Sequence, residues 1–322
     1  MKMSDCVRIN NLQTINRLVM PPMATRASDD GKVSSQLIKF YTDRCGSGHI
    51  GLVITEHSYV VKQGKASENQ LAVDDDSCIE GLSRLTESIK KSGSLVFAQF
   101  SHAGSRTSYE ITGETPVSSS SDNCFGKEVR ELSLDEIHGL ANAFANAAVR
   151  AKNAGYDGVE IHSAHSYLLN QFYSPLLNHR QDEYGADCME NRLRFHVEII
   201  KAIREKLGDD YPIAVRLGGC DYTEGGSTID DSVEAAKLLE KAGADLIDLS
   251  GGVCGFHVQG REHAVFRDMS EKVKKAVSVP VVLTGGIRTG VEAEALINEG
   301  AADLIGIGRA LIANPNWAEE QL

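Results

Sequence analysis

The strongest constraint on the fold is a regular alternation between short apolar segments and segments with the periodicity of amphipathic helices. The apolar segments are rich in aliphatic and β-branched residues and occur eight times, at residues 17–20, 51–56, 94–100, 157–162, 212–217, 245–250, 280–285 and 303–308. Near-continuous apolar strands that alternate with helices are typical of a parallel sheet covered by helices. Eight units can close a barrel, so the sequence predicts a single-domain α/β protein, a (β/α)8 TIM barrel over residues 1–322. An open, doubly wound sheet is the alternative.

Capping residues predict where the helices begin and end. Ser133 and Glu136 have the spacing of a capping box and predict a helix that runs to about Asn153 and stops at Gly155. Further helices are predicted at residues 76–92, 187–207, 228–242, 270–277 and 290–299. The phrases KNAGYDGVEI, EKAGADLIDL and NEGAADLIGI repeat one unit, in which a glycine ends a helix and an aspartate precedes a buried strand. The repeat supports a chain built from βα units.

Composition excludes several classes of protein. The formal net charge of −12 argues against binding to nucleic acid or to an anionic membrane surface. The chain has no run of about 18 apolar residues and begins MKMSDCVRINN, so we expect neither a membrane span nor a secretory signal. Its seven cysteines are widely spaced without a CxxC motif, which indicates reduced thiols in the cytoplasm. The expected partner is a small-molecule substrate.

A barrel places its active site at the carboxyl ends of its strands, and these positions can be read from the sequence. They are Pro21, Pro22, Met23, Ala24, Glu56, His57, Gln99, His102, His162, His165, Arg216, Ser250, Gly251, Gly252, Gly285, Gly286, Gly308 and Arg309. The set is poor in carboxylates, which disfavours a paired-acid glycosidase. No GxSxG motif is present, which disfavours a serine hydrolase.

The last two strands end in glycine-rich turns, TGGI with Gly285 and Gly286 and GIGRAL with Gly308 and Arg309. Glycines allow backbone N–H groups to approach an anion, and the loops after the seventh and eighth strands are the usual phosphate site of a barrel. Arg309 can bind a phosphate through two parallel hydrogen bonds. These turns therefore predict a phosphate site, and close helix–strand packing is the alternative.

Gln99 and Arg216 are polar residues near the ends of otherwise apolar strands, so we expect both to point into the barrel mouth. Gln99 can donate and accept at an amide-like edge such as the pyrimidine of a flavin. Arg216 is a fixed cation that can stabilise a negative charge at flavin N1 and O2. An ion pair or hydrogen bond within the barrel is the alternative for each residue.

His162 ends the fourth strand, and His165 and Tyr167 follow it in the stretch EIHSAHSYLLNQFYSP. The two histidines could bind a metal with His57 or His102, although no acidic residue lies immediately beside them. They could also be structural histidines bonded to the backbone. In the interpretation that we favour, both imidazoles donate to one carbonyl or nitro oxygen, which polarises an electron-poor alkene for hydride attack. Tyr167 would then deliver a proton to the α-carbon.

The stretch HSAHSYLLNQFYSPLLNHRQDEYGADCMENRLRF at residues 162–195 resembles the Old Yellow Enzyme family of FMN-dependent oxidoreductases. NRLVMPPMAT (16–25), QFSHAGSR (99–106), AVRLGGCDYTEGG (214–226) and IGIGRAL (305–311) are similar to further motifs of that family in the same order. The resemblance covers nearly the whole chain. It is strongest to the bacterial single-domain branch of YqjM-type ene-reductases and extends to the barrel domain of bacterial enoate and dienoyl-CoA reductases.

The resemblance implies a barrel that binds FMN non-covalently and uses NADH or NADPH as reductant. It places the cofactor against Pro21, Pro22, Met23, Ala24, His57, Gln99, Arg216, Gly285, Gly286, Gly308 and Arg309. His162 and His165 would be the paired donors to the substrate, and Tyr167 the proton donor.

A structural role is predicted for four charged residues in the same stretch. Arg180, Asp182, Glu190 and Arg192 can form an ion-pair network beneath the loop that follows the fourth strand. These residues are therefore not expected to be catalytic.

Three features depart from the pattern of the family. Ala24 stands where members often carry a Cys or Thr that bonds near flavin O4, so the flavin potential is not implied. Arg26 replaces a pocket-lining tyrosine and predicts a more polar, anion-accepting substrate site. The sequence ends at NPNWAEEQL without the C-terminal arm that reaches a neighbouring subunit and without iron–sulfur or FAD/NAD domains. The chain could form a homo-oligomer, and whether a partner completes its active site is left open.

We therefore predict an NAD(P)H-dependent FMN oxidoreductase of the ene-reductase type, acting on the activated C=C bond of an enone, enal, enoate or nitroalkene. Both half-reactions would share one site, so no Rossmann motif is required, and none is visible. Within the class, the alternative is an NADH:flavin oxidase or nitro-reductase. From another class, the alternative is a non-flavin, phosphate-binding aldolase or isomerase barrel. That enzyme needs a Schiff-base lysine or a carboxylate base at a strand end, and we find neither.

Overall fold

Alternating strands and helices close into a barrel in the computed structural model, which describes residues 1–122 and 128–322. Cys124, one of the predicted free thiols, lies outside the described residues. The strands are β1 (Arg8–Ile9), β2 (Leu12–Gln13), β3 (Leu18–Met20), β4 (Leu52–Tyr59), β5 (Leu95–Ser101), β6 (Val117–Ser118), β7 (Arg130–Glu131), β8 (Gly158–Ser163), β9 (Ile213–Cys220), β10 (Leu246–Gly251), β11 (Val281–Thr284) and β12 (Leu304–Gly306). The α-helices are α1 (Ser35–Cys45), α2 (Ile79–Lys90), α3 (Tyr109–Thr112), α4 (Leu134–Asn153), α5 (Leu168–Tyr173), α6 (Met189–Leu207), α7 (Ile229–Ala242), α8 (Arg267–Lys274), α9 (Gly290–Asn298), α10 (Arg309–Ala313) and α11 (Trp317–Gln321).

The eight predicted apolar segments are the eight strands of the barrel. In spatial order these are β3, β4, β5, β8, β9, β10, β11 and β12, and β12 pairs with β3 to close the ring. All neighbours are parallel, because each crossover carries a helix that returns the chain to the same end. The predicted (β/α)8 fold is confirmed, and the open sheet is excluded.

Helix α4 confirms the predicted capping box. The Ser133 side chain accepts from the backbone of Glu136, and the Glu136 side chain accepts from the backbone of Ser133. Helix α1 has no counterpart among the predicted helices. Its apolar signal is a narrow stripe of Leu37, Tyr41 and Cys45 at four-residue spacing, and its N-cap is Ser34, which accepts from the backbone of Leu37.

The repeated helix–glycine–aspartate–strand unit joins neighbouring strands at the amino-terminal end of the barrel. The glycine after the helix adopts a positive φ, as a left-handed cap requires, at Gly155, Gly243 and Gly300. Each aspartate then accepts a hydrogen bond from the first backbone N–H groups of the neighbouring strand. The bonds join Asp157 to Val96 at 2.9 Å, Asp245 to Ile213 at 2.8 Å and Asp303 to Val281 at 3.0 Å. The aspartate of each repeat therefore fixes the register between two neighbouring strands.

The interior of the barrel changes character along the strands. Near the amino-terminal end it is filled by apolar side chains, which pack against Val7 and Ile9 beneath them: Val19, Leu52, Ile54, Phe97, Ala214, Leu246, Val282 and Leu304. Two residues further along the strands, on the same face, the side chains become polar. We call these residues the inner polar layer: Gln99, Glu160, Arg216, Asp248 and Thr284. Because the layer below it is apolar, the polar groups that can take part in chemistry lie toward the carboxyl end of the barrel.

None of the described helices is both long enough and apolar enough to cross a membrane.

Gly306 tests the packing between the last two strands, because a Cβ at this position would lie 1.9 Å from the Thr284 hydroxyl oxygen. We expect Gly306→Ala to lower the free energy of unfolding by about 1–3 kcal/mol through overpacking. Gly139→Ala is the matched control, because nothing lies within 4 Å of its added Cβ on helix α4. It should raise stability by up to about 1 kcal/mol. Urea unfolding measures both, and an unchanged G306A would contradict the described register.

Candidate functional site

Four ring side chains that the sequence singled out meet above the inner polar layer. The ring centroids of His162 and His165 are 5.0 Å apart and nearly perpendicular, and Tyr167 stacks on His162 at 4.9 Å. His57 approaches from β4, with its centroid 5.5 Å from Tyr167 and 6.2 Å from His162. Strand ends far apart in sequence therefore form one cluster, as the barrel prediction requires.

His162 is a neutral hydrogen-bond donor facing the mouth. Its Nδ1 accepts the backbone N–H of Ala164 at 3.1 Å, so the proton of the neutral ring lies on Nε2. Burial lowers the pKa of His162 well below its usual value, and the charges of His165 and Arg216 lower it further. Nε2 has no partner among the described residues, so this N–H is available to a ligand.

His165 is turned toward the same space by two consecutive residues in the left-handed region, His165 at φ +59° and Ser166 at φ +60°. This conformation is unfavourable for side-chain-bearing residues, and it is held by bonds from His165 N to Gly251 O and from Ser166 N to Asn170 Oδ1. The imidazole Nε2 lies 2.7 Å from the Ser250 hydroxyl. Burial, then the charge of Arg216, lower the pKa of His165 well below its usual value. When Ser250 donates to Nε2, the ring proton is on Nδ1, and His165 is a second donor.

Tyr167 occupies the N-cap position of helix α5, where its backbone is extended and its ring lies flat against His162. Burial raises the pKa of its hydroxyl, although the charges of Arg106 and Arg26 oppose this effect. The phenol therefore stays protonated at neutral pH. In residues 1–122 and 128–322 the hydroxyl has no hydrogen-bond partner, so its proton is not committed to the protein.

Segment 21–26 crosses the mouth beside β4. Its position is fixed by Glu56, whose Oε2 accepts the Thr25 N–H at 2.7 Å. His57, next to Glu56, is oriented by Gln70, which donates to Nδ1 at 2.9 Å. Ala24 and Arg26 are exposed, and Arg26 has φ +56°. The charge of Arg26 acts on Tyr167, so Arg26 lies near the cluster, whereas a role for Ala24 stays a prediction.

The inner polar layer has hydrogen-bonding capacity that the protein leaves unused. Gln99 donates to Glu160 Oε1 at 2.8 Å, which leaves its amide oxygen free. Arg216 is buried, and its nearest acid is Asp248, with Nε 3.3 Å from Oδ2 but without hydrogen-bond geometry. Within the described chain the guanidinium makes no hydrogen bond, although buried guanidinium N–H groups are normally satisfied. The layer therefore fits a bound group with an amide-like, electron-accepting edge, as in the flavin prediction.

The glycine turns also fit a bound group. Gly285 and Gly286 have φ +129° and +75°, so their backbone demands glycine, and a Cβ on Gly286 would lie 2.1 Å from the Glu262 carbonyl. Gly308 differs, because its φ of −101° suits any residue and a Cβ there would make only ordinary contacts with Met23 and Pro21. Protein packing therefore does not explain glycine at 308, and the close approach of a phosphate stays a prediction. Arg309 is exposed beside it.

The predicted ion-pair network is only partly present. Arg180 pairs with Asp182 at 2.5 Å, as expected. Arg192 instead pairs with Asp231 at 3.1 Å, because helix α7 packs against helix α6 on that side. Glu190 is exposed on the first turn of α6 and has no ion pair among the described residues. The prediction for Glu190 is therefore wrong.

Sequence reasoning missed two carboxylates of the site. Glu160 and Asp248 are both fully buried in the inner polar layer, so the barrel is less poor in carboxylates than the strand ends suggested. The signal was available, because each is a charged residue in the middle of an apolar strand, the same signal that identified Gln99 and Arg216. No group of three or more His, Cys, Asp or Glu side chains in the described ranges is arranged to bind a metal ion.

Comparison with known proteins places this site in a family. Residues 5–321 match the family model described as NADH:flavin oxidoreductase / NADH oxidase family. The chain is 42% identical over 323 residues to the NADH oxidase of Thermoanaerobacter brockii, a match that covers 97% of this chain and 49% of the relative. It is 37% identical over 320 residues to the NADPH dehydrogenase of Bacillus subtilis, covering 98% of this chain and 93% of the relative.

A solved structure agrees with these matches. The old yellow enzyme homologue from Zymomonas mobilis superposes with a TM-score of 0.86 at 26% identity, covering 99% of this chain and 92% of the other. The lengths of the relatives differ, however. This chain spans about half the length of the T. brockii NADH oxidase.

The neutral state of His57 gives a pH-dependent prediction. Burial and the charge of Arg216 lower the pKa of His57 to about 4, whereas an unfolded histidine titrates near 6.5. Stability from the neutral ring is therefore present above about pH 6.5 and is lost as the pH falls toward 4. Relative to His57→Gln, the wild-type free energy of unfolding should fall by up to about 1.4 kcal/mol per pH unit in that window. Denaturant titrations of both proteins measure this, and parallel pH curves would contradict it.

Proposed function

Because the chain belongs to the NADH:flavin oxidoreductase / NADH oxidase family, we propose that its barrel uses NADH or NADPH to reduce the activated C=C bond of an enone, enal, enoate or nitroalkene. Family membership agrees with the resemblance to the Old Yellow Enzyme and makes FMN the cofactor of the barrel. We further propose that residues 1–322 act as one FMN-binding unit.

FMN, when bound, supplies the hydride acceptor and donor that no side chain provides. The residues proposed to hold it are Pro21, Pro22, Met23, Ala24, His57, Gln99, Arg216, Gly285, Gly286, Gly308 and Arg309. Arg216 offers a buried cation with unused N–H groups, and Gly308 offers a backbone open to close approach. The first observation concerns the inner polar layer and the second concerns the turn after the last strand, and both support the assignment.

The observation that carries the proposed reaction is the pairing of two neutral imidazoles at one point of the barrel mouth. His162 presents Nε2–H because Nδ1 is bonded to the backbone, and His165 can present Nδ1–H because Nε2 is bonded to Ser250. Two preorganised donors on one carbonyl or nitro oxygen withdraw electrons from the conjugated alkene and stabilise the negative charge that develops there. Burial keeps both rings neutral, so each retains one N–H that can donate to this oxygen.

Tyr167 is proposed as the proton donor to the α-carbon. Its hydroxyl is protonated at neutral pH, lies beside His162, and has no partner in the described chain that competes for the proton. The nearby charges of Arg26 and Arg106 lower the pKa of the phenol and so favour proton transfer out of it. The same charges favour alkenes that carry an anionic group, so we propose enoates as good substrates.

A second candidate function is an NADH:flavin oxidase or nitro-reductase. Two observations favour it: the T. brockii relative is named an NADH oxidase, and Ala24 offers no hydrogen bond at the rim where a Cys or Thr could. Both functions share the cofactor site and differ in the final acceptor, oxygen or a nitro group instead of an alkene.

The setting of the protein is also part of the proposal. The described cysteines are all unpaired thiols, which supports a reducing compartment, the cytoplasm. The net charge of −12 supports a small-molecule substrate and no role in binding nucleic acid.

Stopped-flow reoxidation of the FMN-loaded, NADH-reduced protein tests the proposed function. We expect reoxidation by cyclohexenone or a cinnamate-type acid to be faster than reoxidation by oxygen at equal concentration. Tyr167→Phe should slow the alkene reaction by roughly 10²–10⁴-fold, since it removes a general acid, and should leave the reduction by NADH unchanged. Tyr109→Phe, at an exposed position, is the matched control.

Two results would overturn parts of this proposal. If oxygen reoxidises the protein faster than every alkene tried, the oxidase is the better assignment. If Y167F and Y109F reduce alkenes at the same rate, the α-carbon proton comes from elsewhere.

A further inference from the structure

The inner polar layer contains more acid than base. Glu160 on β8 and Asp248 on β10 flank Arg216 on β9, and Asp248 and His162 are the register partners of Arg216 in the sheet. Both carboxylates are fully buried and Arg216 is nearly so. With both acids ionised, the three side chains would carry one net negative charge inside the barrel.

Hydrogen bonds do not compensate for that charge. Glu160 accepts from Gln99 through Oε1, but its Oε2 is buried without a partner. Asp248 accepts a long bond of 3.4 Å from Thr284 through Oδ1, and its Oδ2 faces Arg216 at 3.3 Å without hydrogen-bond geometry. A buried ionised oxygen without a donor is strongly unfavourable, and a second carboxylate beside the same cation adds repulsion.

The other groups that face Glu160 bring no second cation. Gln99 donates to Glu160, Thr284 donates to Asp248, and the rings of His57 and His162 lie next to each other above the layer. Burial keeps both of these histidines neutral at pH 7. Arg216 is therefore the one cation that faces this layer within the described residues, and it cannot neutralise two carboxylates.

We propose that the folded barrel binds one proton in the inner polar layer at neutral pH, carried by Glu160 as a neutral carboxylic acid, while Asp248 stays ionised against Arg216. A proton on Oε2 removes the unpaired anionic oxygen and brings the net charge of the three side chains to zero. Asp248 keeps its charge because its Oδ2 is the carboxylate oxygen in reach of the guanidinium. Burial and the charge of Asp248 raise the pKa of Glu160 well above its usual value, and Arg216 opposes this only in part.

The neutral acid determines how strongly Arg216 can act on a bound group. With Glu160 protonated, the charge of Arg216 is balanced by one carboxylate instead of two. Ionisation of Glu160 would place an added negative charge below any anionic ligand of Arg216. That charge would repel the ligand and weaken the binding of the ligand. Glu160 is thus an electrostatic support for Arg216 and not a catalytic residue. The inference does not depend on which substrate the mouth accepts.

Infrared spectroscopy in D₂O at neutral pD tests the proposal directly. A protonated carboxylic acid has a C=O stretching band that ionised carboxylates lack. The wild-type protein should show this band, and Glu160→Gln should lose it. Glu56→Gln is the matched control, because Glu56 is also buried on a strand of the barrel but accepts the Thr25 N–H. Its loss should leave the Glu160 band in place. Absence of the band from the wild-type protein would overturn the proposal without any variant. A band that survives in E160Q would also overturn it.

The pH dependence of stability provides a second readout. An acid whose pKa is raised on folding destabilises the fold progressively above its unfolded pKa, about 4.3 for glutamate, because unfolding then releases a proton. The midpoint denaturant concentration of the wild type should therefore fall relative to that of E160Q as the pH rises from 4 to 7. A difference between the two proteins that stays constant across this range would mean that Glu160 is ionised in the fold and would refute the inference.

Discussion

The charge of Arg216, held inside a barrel closed below by apolar side chains, acts together with burial on the protonation of the groups around it. It lowers the pKa values of His57, His162 and His165, where burial already disfavours an imidazolium. Burial raises the pKa of Asp248, and the charge of Arg216 opposes that rise. Neutral hydrogen-bond donors in the mouth therefore lie above the buried charge of Arg216, a combination that suits developing negative charge on a ligand.

This electrostatic arrangement depends on the closed, parallel geometry of the barrel. Because every strand of the barrel runs in the same direction, residues two positions apart on each of these strands form stacked interior layers. An apolar layer, a polar layer and a cluster of rings follow one another toward the carboxyl end. The aspartates that precede three of the strands accept hydrogen bonds from backbone N–H groups of the neighbouring strands and so hold this register. A shift of one strand by one residue would turn its polar side chain out of the interior.

Much of the fold and many of the site residues could be predicted from the sequence, for different reasons. The strands were visible because buried parallel strands are continuous apolar runs, and Gln99 and Arg216 stood out within such runs. The same rule, applied to Glu160 and Asp248, would have found the buried acids. Helix α1 was missed because its apolar stripe is only one residue wide. The left-handed turn at His165 and the tautomer of His162 depend on contacts with residues distant in sequence or on backbone geometry that no local pattern encodes.

The central claim is that His162 and His165 donate to one oxygen of the ligand that binds at the barrel mouth. The most direct measurement is a crystal structure of the FMN-loaded protein with a bound phenol, whose oxygen mimics the activated carbonyl oxygen of a substrate. We expect this oxygen to lie about 2.7–3.2 Å from both His162 Nε2 and His165 Nδ1. A phenol oxygen bonded to neither ring, or a metal ion held between the two histidines, would contradict it.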